Sequence, residues 1–226
     1  MASFKINFAL CRGLGEPGGI VEAMEAYGLA ETEEIGVLHA NAAAGAAFGT
    51  LVRRTNLAIQ RIDPKTHQVL TEAVERVALI PFGAFGKAER LEVYAGGGAA
   101  VKDVSAFLGS GLAMPVVTDP VELDLLGAVE KLIKTTSKFQ LRTVRVSDYA
   151  ANSYMIGPYA PKFMDTDHGL KFLNEYAEVL KSVQVRFAGP SGRATATLTP
   201  NACLSYSCAE DDQPAIQDIL RTLIAI

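Results

Sequence analysis

The chain has 226 residues, a formal net charge of −4 and an isoelectric point near 5.5. That length allows one large domain or two small ones, and the acidic balance argues against a generally basic nucleic-acid-binding protein. Hydrophobic residues make up 49% of the chain and charged residues only 20%. A composition this apolar indicates either a large core or a subunit that buries surface against copies of itself, and we favour the second interpretation.

Targeting signals and cysteine usage indicate the compartment. No apolar run reaches the roughly 18 residues of a membrane-spanning helix, so we expect no membrane partner. The first residues lack the basic and apolar blocks of a secretory signal peptide. The three cysteines, at positions 11, 203 and 208, are odd in number and predict buried thiols in place of a disulfide framework. We therefore expect a cytoplasmic protein.

The N-terminal segment carries the one pattern that resembles a cofactor motif. An alternating strand at 4–10 precedes a loop with Gly13, Gly15 and Gly18, and a helix follows. Strand, G-x-G-x-x-G and helix are the formal parts of a dinucleotide-binding turn. Against that function, a central parallel strand would be almost entirely apolar, and Pro17 lies where backbone N–H groups should face phosphates. We favour a plain turn, with nucleotide binding at these glycines as an alternative.

The segment from residue 40 to residue 108 predicts further strands joined by turns. Residues 40–50 are almost all alanine and glycine, and they are compatible with a small-residue helix or with a loop. Residues 68–80 are ambiguous, since their first two thirds suit a helix and their last third a strand. The remaining elements are a strand at 54–62, a turn at 63–66, a bend at 81–86, a strand at 87–95 and a short helix at 101–108.

A Gly/Ser/Pro-rich region at 109–119 is the candidate boundary within the chain. It divides an N-terminal α+β lobe, residues 1–112, from a C-terminal α+β lobe, residues 113–226. A loose repetition of strand, turn, strand and helix leads us to consider two similar lobes. A single domain stays an open alternative.

The strongest helix signal starts at Asp119-Pro120, a predicted N-cap followed by proline at the first helical position. An apolar stripe continues to Ile133, and the helix should end at 135–137. Residues 138–146 then predict a strand, because β-branched and aromatic residues are frequent in them.

Five basic residues and no acidic one lie between Lys131 and Arg145, and a predicted loop with tyrosines and a phenylalanine at 149, 154, 159 and 163 follows. Cations beside aromatic rings can hold a phosphate backbone and stack bases. The candidate polyanion-binding residues are therefore Lys134, Lys138, Arg142, Arg145 and Tyr149. The alternative is that the cations lie on solvated faces while the aromatic rings pack.

The C-terminal segment predicts a helix at 170–182, strands at 183–187, 193–199 and 202–208, and a last helix opened by residues 210–214. The polar sequence 165–169 resembles part of a calcium loop but lacks its third acidic position and distal glutamate. Thr166 or Asp167 as a helix N-cap explains it without a metal, so we expect no metal site.

Together these patterns predict an α+β fold of mostly antiparallel strands and hairpins packed with about four to five helices. No nucleophile elbow, P-loop or HExxH motif is present, so we favour a non-enzymatic protein without a cofactor. The first hypothesis is a self-associating structural or interaction subunit that forms a homo-oligomer or larger assembly. The alternatives are a nucleic-acid-binding or processing accessory protein that uses residues 131–145, and a small-molecule enzyme that binds a nucleotide at residues 13–18.

Overall fold

The structure is a computed structural model that describes residues 1–29, 34–65, 67–152 and 155–224. These residues form eleven strands and five α-helices, which confirms the α+β class and the number of helices. The first half contains β1 (Ala2–Arg12), α1 (Pro17–Tyr27), β2 (Ile35–Ala43), β3 (Ala46–Ile62), β4 (Val69–Phe85), β5 (Arg90–Val93) and α2 (Gly98–Ala106). The second half contains β6 (Val117–Pro120), α3 (Leu125–Thr135), β7 (Gln140–Asn152), β8 (Met155–Tyr159), α4 (Thr166–Glu175), β9 (Leu180–Ala188), β10 (Arg193–Leu198), β11 (Cys203–Cys208) and α5 (Gln213–Arg221).

The chain divides into two compact units. The main unit comprises residues 1–10 and 119–226, and the arm unit comprises residues 11–118. In this division the first ten residues join the C-terminal half. The sequence-based boundary between residues 112 and 113, and the similarity of two lobes, stay predictions.

The arm unit contains an antiparallel series of strands in the order β2-β3-β4-β5. β2 and β3 are joined by a tight turn in which Ala44 and Gly45 have φ angles of 50° and 76°. Positive φ at both turn residues matches the right-handed twist of the strands, and this is why such turns favour glycine. Residues 40–50 are therefore a hairpin, and both the helix and the loop interpretation were wrong.

β4 replaces two other predicted features. Residues 69–85 form one strand that pairs with β3. The strand interpretation of the last third of 68–80 was therefore correct, whereas the helix interpretation of its first two thirds and the bend over 81–86 were wrong. Pro81 lies opposite Thr50, and its carbonyl oxygen accepts the N–H of Tyr94 at 2.8 Å. Proline fits at this position because its fixed φ suits an extended chain. The bond to Tyr94 uses the carbonyl oxygen of Pro81, so the missing N–H of proline is not needed for it. The predicted turn at 63–66 joins the two strands, and its Thr66 lies outside the described residues.

The main unit is built on an antiparallel sheet in the order β1-β11-β10-β9-β7-β8. Alternate side chains of β9, β10 and β11 are buried, and α3 and α5 bury their apolar stripes in the same unit. The predicted strands at 183–187, 193–199 and 202–208 are confirmed with shifts of a few residues. Their other alternate side chains remain half-buried or exposed.

Three helix and loop predictions were wrong in position. α3 begins at Leu125 instead of after Asp119, because Asp124 accepts the N–H of Leu126 at 3.1 Å and acts as the N-cap. α4 begins before the predicted residue 170, with Asp165 as its N-cap, and residues 180–182 belong to β9. The aromatic segment after residue 146 is largely β7 and β8, where a loop was expected.

Asp212 closes the turn between β9 and β10 and is only 3% exposed. Its carboxylate accepts the N–H of Ser191 at 3.1 and 3.2 Å, and the Ser191 hydroxyl donates to it at 2.7 Å. A buried carboxylate with these donors ties the turn to the residues that open α5. Removing the acceptor would leave the turn's polar groups without their partner.

We expect Asp212→Ala to lower the free energy of unfolding by about 2–3 kcal/mol, because hydrogen bonds to a buried charged group are lost. Asp212→Asn keeps an acceptor oxygen and should lose less. The matched control is Asp211→Ala, since Asp211 is exposed and should change stability by less than about 0.5 kcal/mol. Urea unfolding measures all three, and equal losses for Asp211→Ala and Asp212→Ala would contradict the assigned role.

Candidate functional site

The predicted polyanion-binding cations do not lie on one stripe. Lys134 is exposed in the last turn of α3, and Lys138 follows in the connection to β7 with a φ of 52°. β7 shifts register against β9 between Leu141 and Thr143 and again beyond Arg145. Arg142 lies at the first of these bulges, where an extra residue breaks the alternation of side chains along a strand.

Lys138 instead shares a cavity with two arginines from the neighbouring hairpin. The cavity has a volume of about 220 Å³ and is lined by Lys138, Gln140, Arg186, Phe187, Ala188 and Arg193. Gln140 pairs with Arg186 across β7 and β9, and Ala188 pairs with Arg193 across β9 and β10. We call Lys138, Arg186 and Arg193 the cation cluster.

In the described part of the chain, no carboxylate forms an ion pair with a member of the cation cluster, and no acidic residue lines the cavity. Arg186 is half-buried, whereas Lys138 and Arg193 are exposed. Like charges at close range repel, so an anion in this cavity would relieve that repulsion while gaining charge-assisted hydrogen bonds.

Sequence reasoning missed Arg186 and Arg193, although the hairpin that carries them was predicted. Arg186 alternates with Val185 and Phe187, which are buried, and Arg193 opens the returning strand. The available signal was the turn at 189–192, because a short turn sets which residues face each other across a hairpin. No local signal places Lys138 beside these arginines, because their proximity depends on the pairing of β7 with β9, which are distant in sequence.

The half-exposed face of the main sheet extends from the cation cluster in two rows. In an antiparallel sheet, side chains directly opposite each other lie on the same face. The residue pairing places one row across β7, β9, β10, β11 and β1 at Gln140, Arg186, Thr195, Ser207 and Ser3. The second row follows the same strands at Thr143, Gln184, Thr197, Ser205 and Lys5. These polar rows contain no acidic and no aromatic residue, and none of their members is buried.

Tyr149 belongs to an aromatic cluster. Its ring lies 4.4 Å from that of Tyr159 and 5.6 Å from that of Tyr176, and the rings of Phe163 and Phe172 complete the group. The pKa of Tyr176 is raised, chiefly because the neighbouring groups remove water from its hydroxyl and next because of the charge of Glu175. The rings pack against one another, which agrees with the packing alternative for these aromatics. Tyr154 lies outside the described residues.

The glycine loop has a conformational explanation. Gly13 has a φ of 81°, and a Cβ atom there would overlap the carbonyl oxygen of Pro115. Glu16 occupies the N-cap position of α1, where its carboxylate would repel a phosphate. Gly18 lies within α1 with open space around it. The backbone therefore requires glycine at the first of these positions for reasons internal to the arm unit.

The thiols, the possible metal ligands and a second cavity offer no comparable site in the described residues. Burial raises the pKa of the Cys11 and Cys208 thiols, which makes them weaker nucleophiles at neutral pH. Among the described residues, no group of three histidines, cysteines or carboxylates is placed to hold a metal ion. A larger cavity of about 610 Å³ in the main unit is lined by Glu122 and Asp124 and by no cation. Within the same ranges, no helix is long and apolar enough to cross a membrane.

Comparison with known proteins identifies no relative: no protein-family model and no curated protein matches the chain. Evidence for a function therefore comes from the arm unit and the main unit themselves. The arm unit offers exposed aliphatic side chains, and the main unit offers the cation cluster with its polar rows.

Gly13→Ala and Gly18→Ala should change stability in opposite directions. We expect Gly13→Ala to cost at least about 1–2 kcal/mol, because alanine is strained at positive φ and its Cβ overlaps Pro115. Gly18→Ala should stabilise by about 0.5–1 kcal/mol, because Gly18 lies in the first turn of α1 with open space around it and alanine reduces the conformational freedom of the unfolded chain. Thermal unfolding with and without NAD measures both. A rise in Tm with NAD that Gly18→Ala abolishes would instead support a nucleotide site.

The Asp165 carboxylate should titrate differently without His168. The pKa of Asp165 is lowered by the hydrogen bond with His168 and by the backbone N–H of Asp167. The charged form therefore stabilises the fold above the unfolded pKa, and that contribution disappears as the pH falls through the folded pKa. We expect His168→Ala to return the pKa towards 3.8 in a carboxyl-carbon NMR titration. His67→Ala in the arm unit is the control, and an unchanged titration in His168→Ala would refute the assigned cause.

Proposed function

We propose that the chain is a non-enzymatic subunit that associates with copies of itself through the arm, defined as residues 53–65 and 67–79 of the β3–β4 hairpin. The supporting observation is the set of large aliphatic side chains that the arm exposes. They are between 39% and 66% exposed and comprise Leu57, Ile59, Ile62, Val69, Leu70, Val74, Val77 and Leu79. Exposed large aliphatic side chains in this concentration are typical of interaction sites in folded proteins.

Within the described residues, the arm also has two edges without a partner strand. Pairing of β3 with β2 ends at Arg53, and Arg54 donates its N–H to Glu34 at 2.7 Å. Pairing of β4 with β5 begins only at Phe82. In the described ranges, the strands between these points pair only with each other. A two-stranded ribbon is marginally stable in water, so contact with another chain would stabilise it.

One face of the arm is self-complementary. Leu57 lies opposite Val74, and Ile59 and Leu70 are on the same face in the adjoining rows. We call these four residues the aliphatic face. Glu72 lies opposite Ile59 and Arg61 lies opposite Leu70, and the side chains of Arg61 and Glu72 approach to 3.1 Å. The row of Thr55 and Arg76 flanks Leu57 and Val74 on the other side.

A two-fold axis across the ribbon at the Leu57 row would bring two such faces together. Rows on either side of the axis would then exchange, so Arg76 of one copy would face Glu72 of the other. Face-to-face ribbons lie about 10 Å apart, a separation that aliphatic side chains fill and that Arg and Glu side chains can bridge. The arrangement combines an apolar centre with paired charges beside it.

The non-enzymatic part of the proposal rests on the sequence, which carries none of the catalytic motifs considered. The free thiols Cys11, Cys203 and Cys208 are compatible with a reducing compartment, so we also propose a cytoplasmic location.

Replacing the centre of the aliphatic face should dissociate the assembly. Wild-type protein should show a mass that is a multiple of 24.0 kDa in light scattering after size exclusion. Leu57→Lys with Val74→Lys should raise the dissociation constant at least about 100-fold, because two central apolar contacts become like charges. Ile62→Lys with Val69→Lys, on the opposite face near the tip, is the matched control and should keep the wild-type mass.

The charge pairing provides a second test in the same experiment. Arg76→Glu or Glu72→Arg alone should weaken association, and the two changes together should restore it, because the facing charges are exchanged. Wild-type protein that stays monomeric up to high concentration would overturn the proposal. Equal dissociation by the tip variant would overturn the assigned face.

A further inference from the structure

We infer that the main unit carries a binding site, separate from the self-association proposed for the arm, for the phosphate backbone of a single-stranded nucleic acid. The site consists of the cation cluster, Lys138, Arg186 and Arg193, and of the polar rows that cross the sheet from it. This placement differs from the sequence-based one, since it retains Lys138 and replaces the other candidate cations.

The cavity has the chemistry and size for a phosphate group. Its volume of about 220 Å³ is below the roughly 300–1,000 Å³ of typical small-molecule pockets. Three cations and the Gln140 amide can donate hydrogen bonds into it, and no acidic side chain lines it. Two of the cations are arginines, whose planar guanidinium groups bind phosphate oxygens in pairs.

The local charge is the main reason to expect an anion. The chain as a whole has a net charge of −4, yet this cavity collects three cations with no ion-pair partner among the described residues. By contrast, Arg61 has Glu72 close by, and Arg221 has Asp218. The cation cluster is thus complementary to a ligand that brings its own negative charge.

The polar rows extend this surface beyond a single phosphate. They cross five strands, and a strand spacing of about 4.8 Å makes each row about 19 Å long. Serine, threonine and glutamine side chains supply uncharged donors along the way, and Lys5 adds a cation on β1. A chain of phosphates crossing the strands would meet Arg186 near one end and Lys5 at the other.

The extent of the two polar rows across five strands favours a single strand. A duplex is a convex rod whose phosphates would meet a sheet only along a narrow line, whereas a flexible strand can follow the rows and place successive phosphates on them. The rows contain no aromatic side chain on which bases could stack. Recognition should therefore involve the backbone and be independent of base sequence.

The test measures fluorescence anisotropy of labelled poly(U) and poly(dT) oligomers at several salt concentrations. Three to four phosphate contacts predict a slope of log K against log salt of about −2 to −3. Arg186→Gln with Arg193→Gln should weaken binding at least about tenfold and reduce the magnitude of the slope by about 1.4, the share of two contacts. The matched control is Lys87→Gln with Lys102→Gln, which removes two exposed positive charges of the arm unit and should keep the wild-type slope.

Each other outcome overturns a defined part of the inference. Unchanged binding in Arg186→Gln with Arg193→Gln, together with a loss in Arg142→Ala with Arg145→Ala, would return the site to the sequence-based placement. Equal or tighter binding of a duplex, or of poly-glutamate, would exclude a single-stranded nucleic acid as the preferred ligand. No binding at low salt would remove the site. If both glutamine variants unfold at the same temperature as the wild type, a loss of binding is not caused by misfolding.

Discussion

The register of the β3–β4 ladder is the constraint on which the arm unit depends. Sixteen consecutive residue pairs run from Ala47 with Ala84 to Ile62 with Val69. Near its base the ladder buries Leu51, Phe82 and Ala84, which are at most 1% exposed. A shift of one residue would turn these side chains to the opposite face, so the buried base sets the register for the whole ribbon. Packing at the buried base therefore decides which side chains lie on each face of the exposed arm.

The main unit shows the opposite behaviour in β7. Two register shifts interrupt its pairing with β9, and they redirect the side chains that a regular strand would align. Arg142 consequently falls at a bulge, outside the residue pairs that align Gln140 with Arg186, whereas Arg145 lies opposite Ser182 in the row next to Thr143 and Gln184. β9, β10 and β11 pair without such shifts, which is why their polar residues form continuous rows.

Much of the fold was predictable because the signals are local. Alternation identified the strands within β1, β9 and β10, and an apolar stripe identified α3 despite the error in its first residue. Predictions failed where two local structures were compatible with one pattern. The apolar residues of 69–77 recur at helical spacing, yet they form β4 because β3 offers a hydrogen-bonding partner along its whole length. The alanines and glycines of 40–50 likewise have no strong preference for helix or strand, and they form a hairpin through the pairing of β2 with β3.

The sequence by itself determined the α+β class, most of the strands and the presence of an unusual concentration of apolar residues. It also identified Lys138 as a candidate anion-binding residue, although in a group with Lys134, Arg142 and Arg145. Only the tertiary structure decided that Leu57 and Val74 share an exposed face and that Lys138, Arg186 and Arg193 line one cavity. Periodicity reports how each segment divides its own side chains between two faces. Strand order and register decide which distant segments meet, because they depend on hydrogen bonds and packing between residues far apart in the chain.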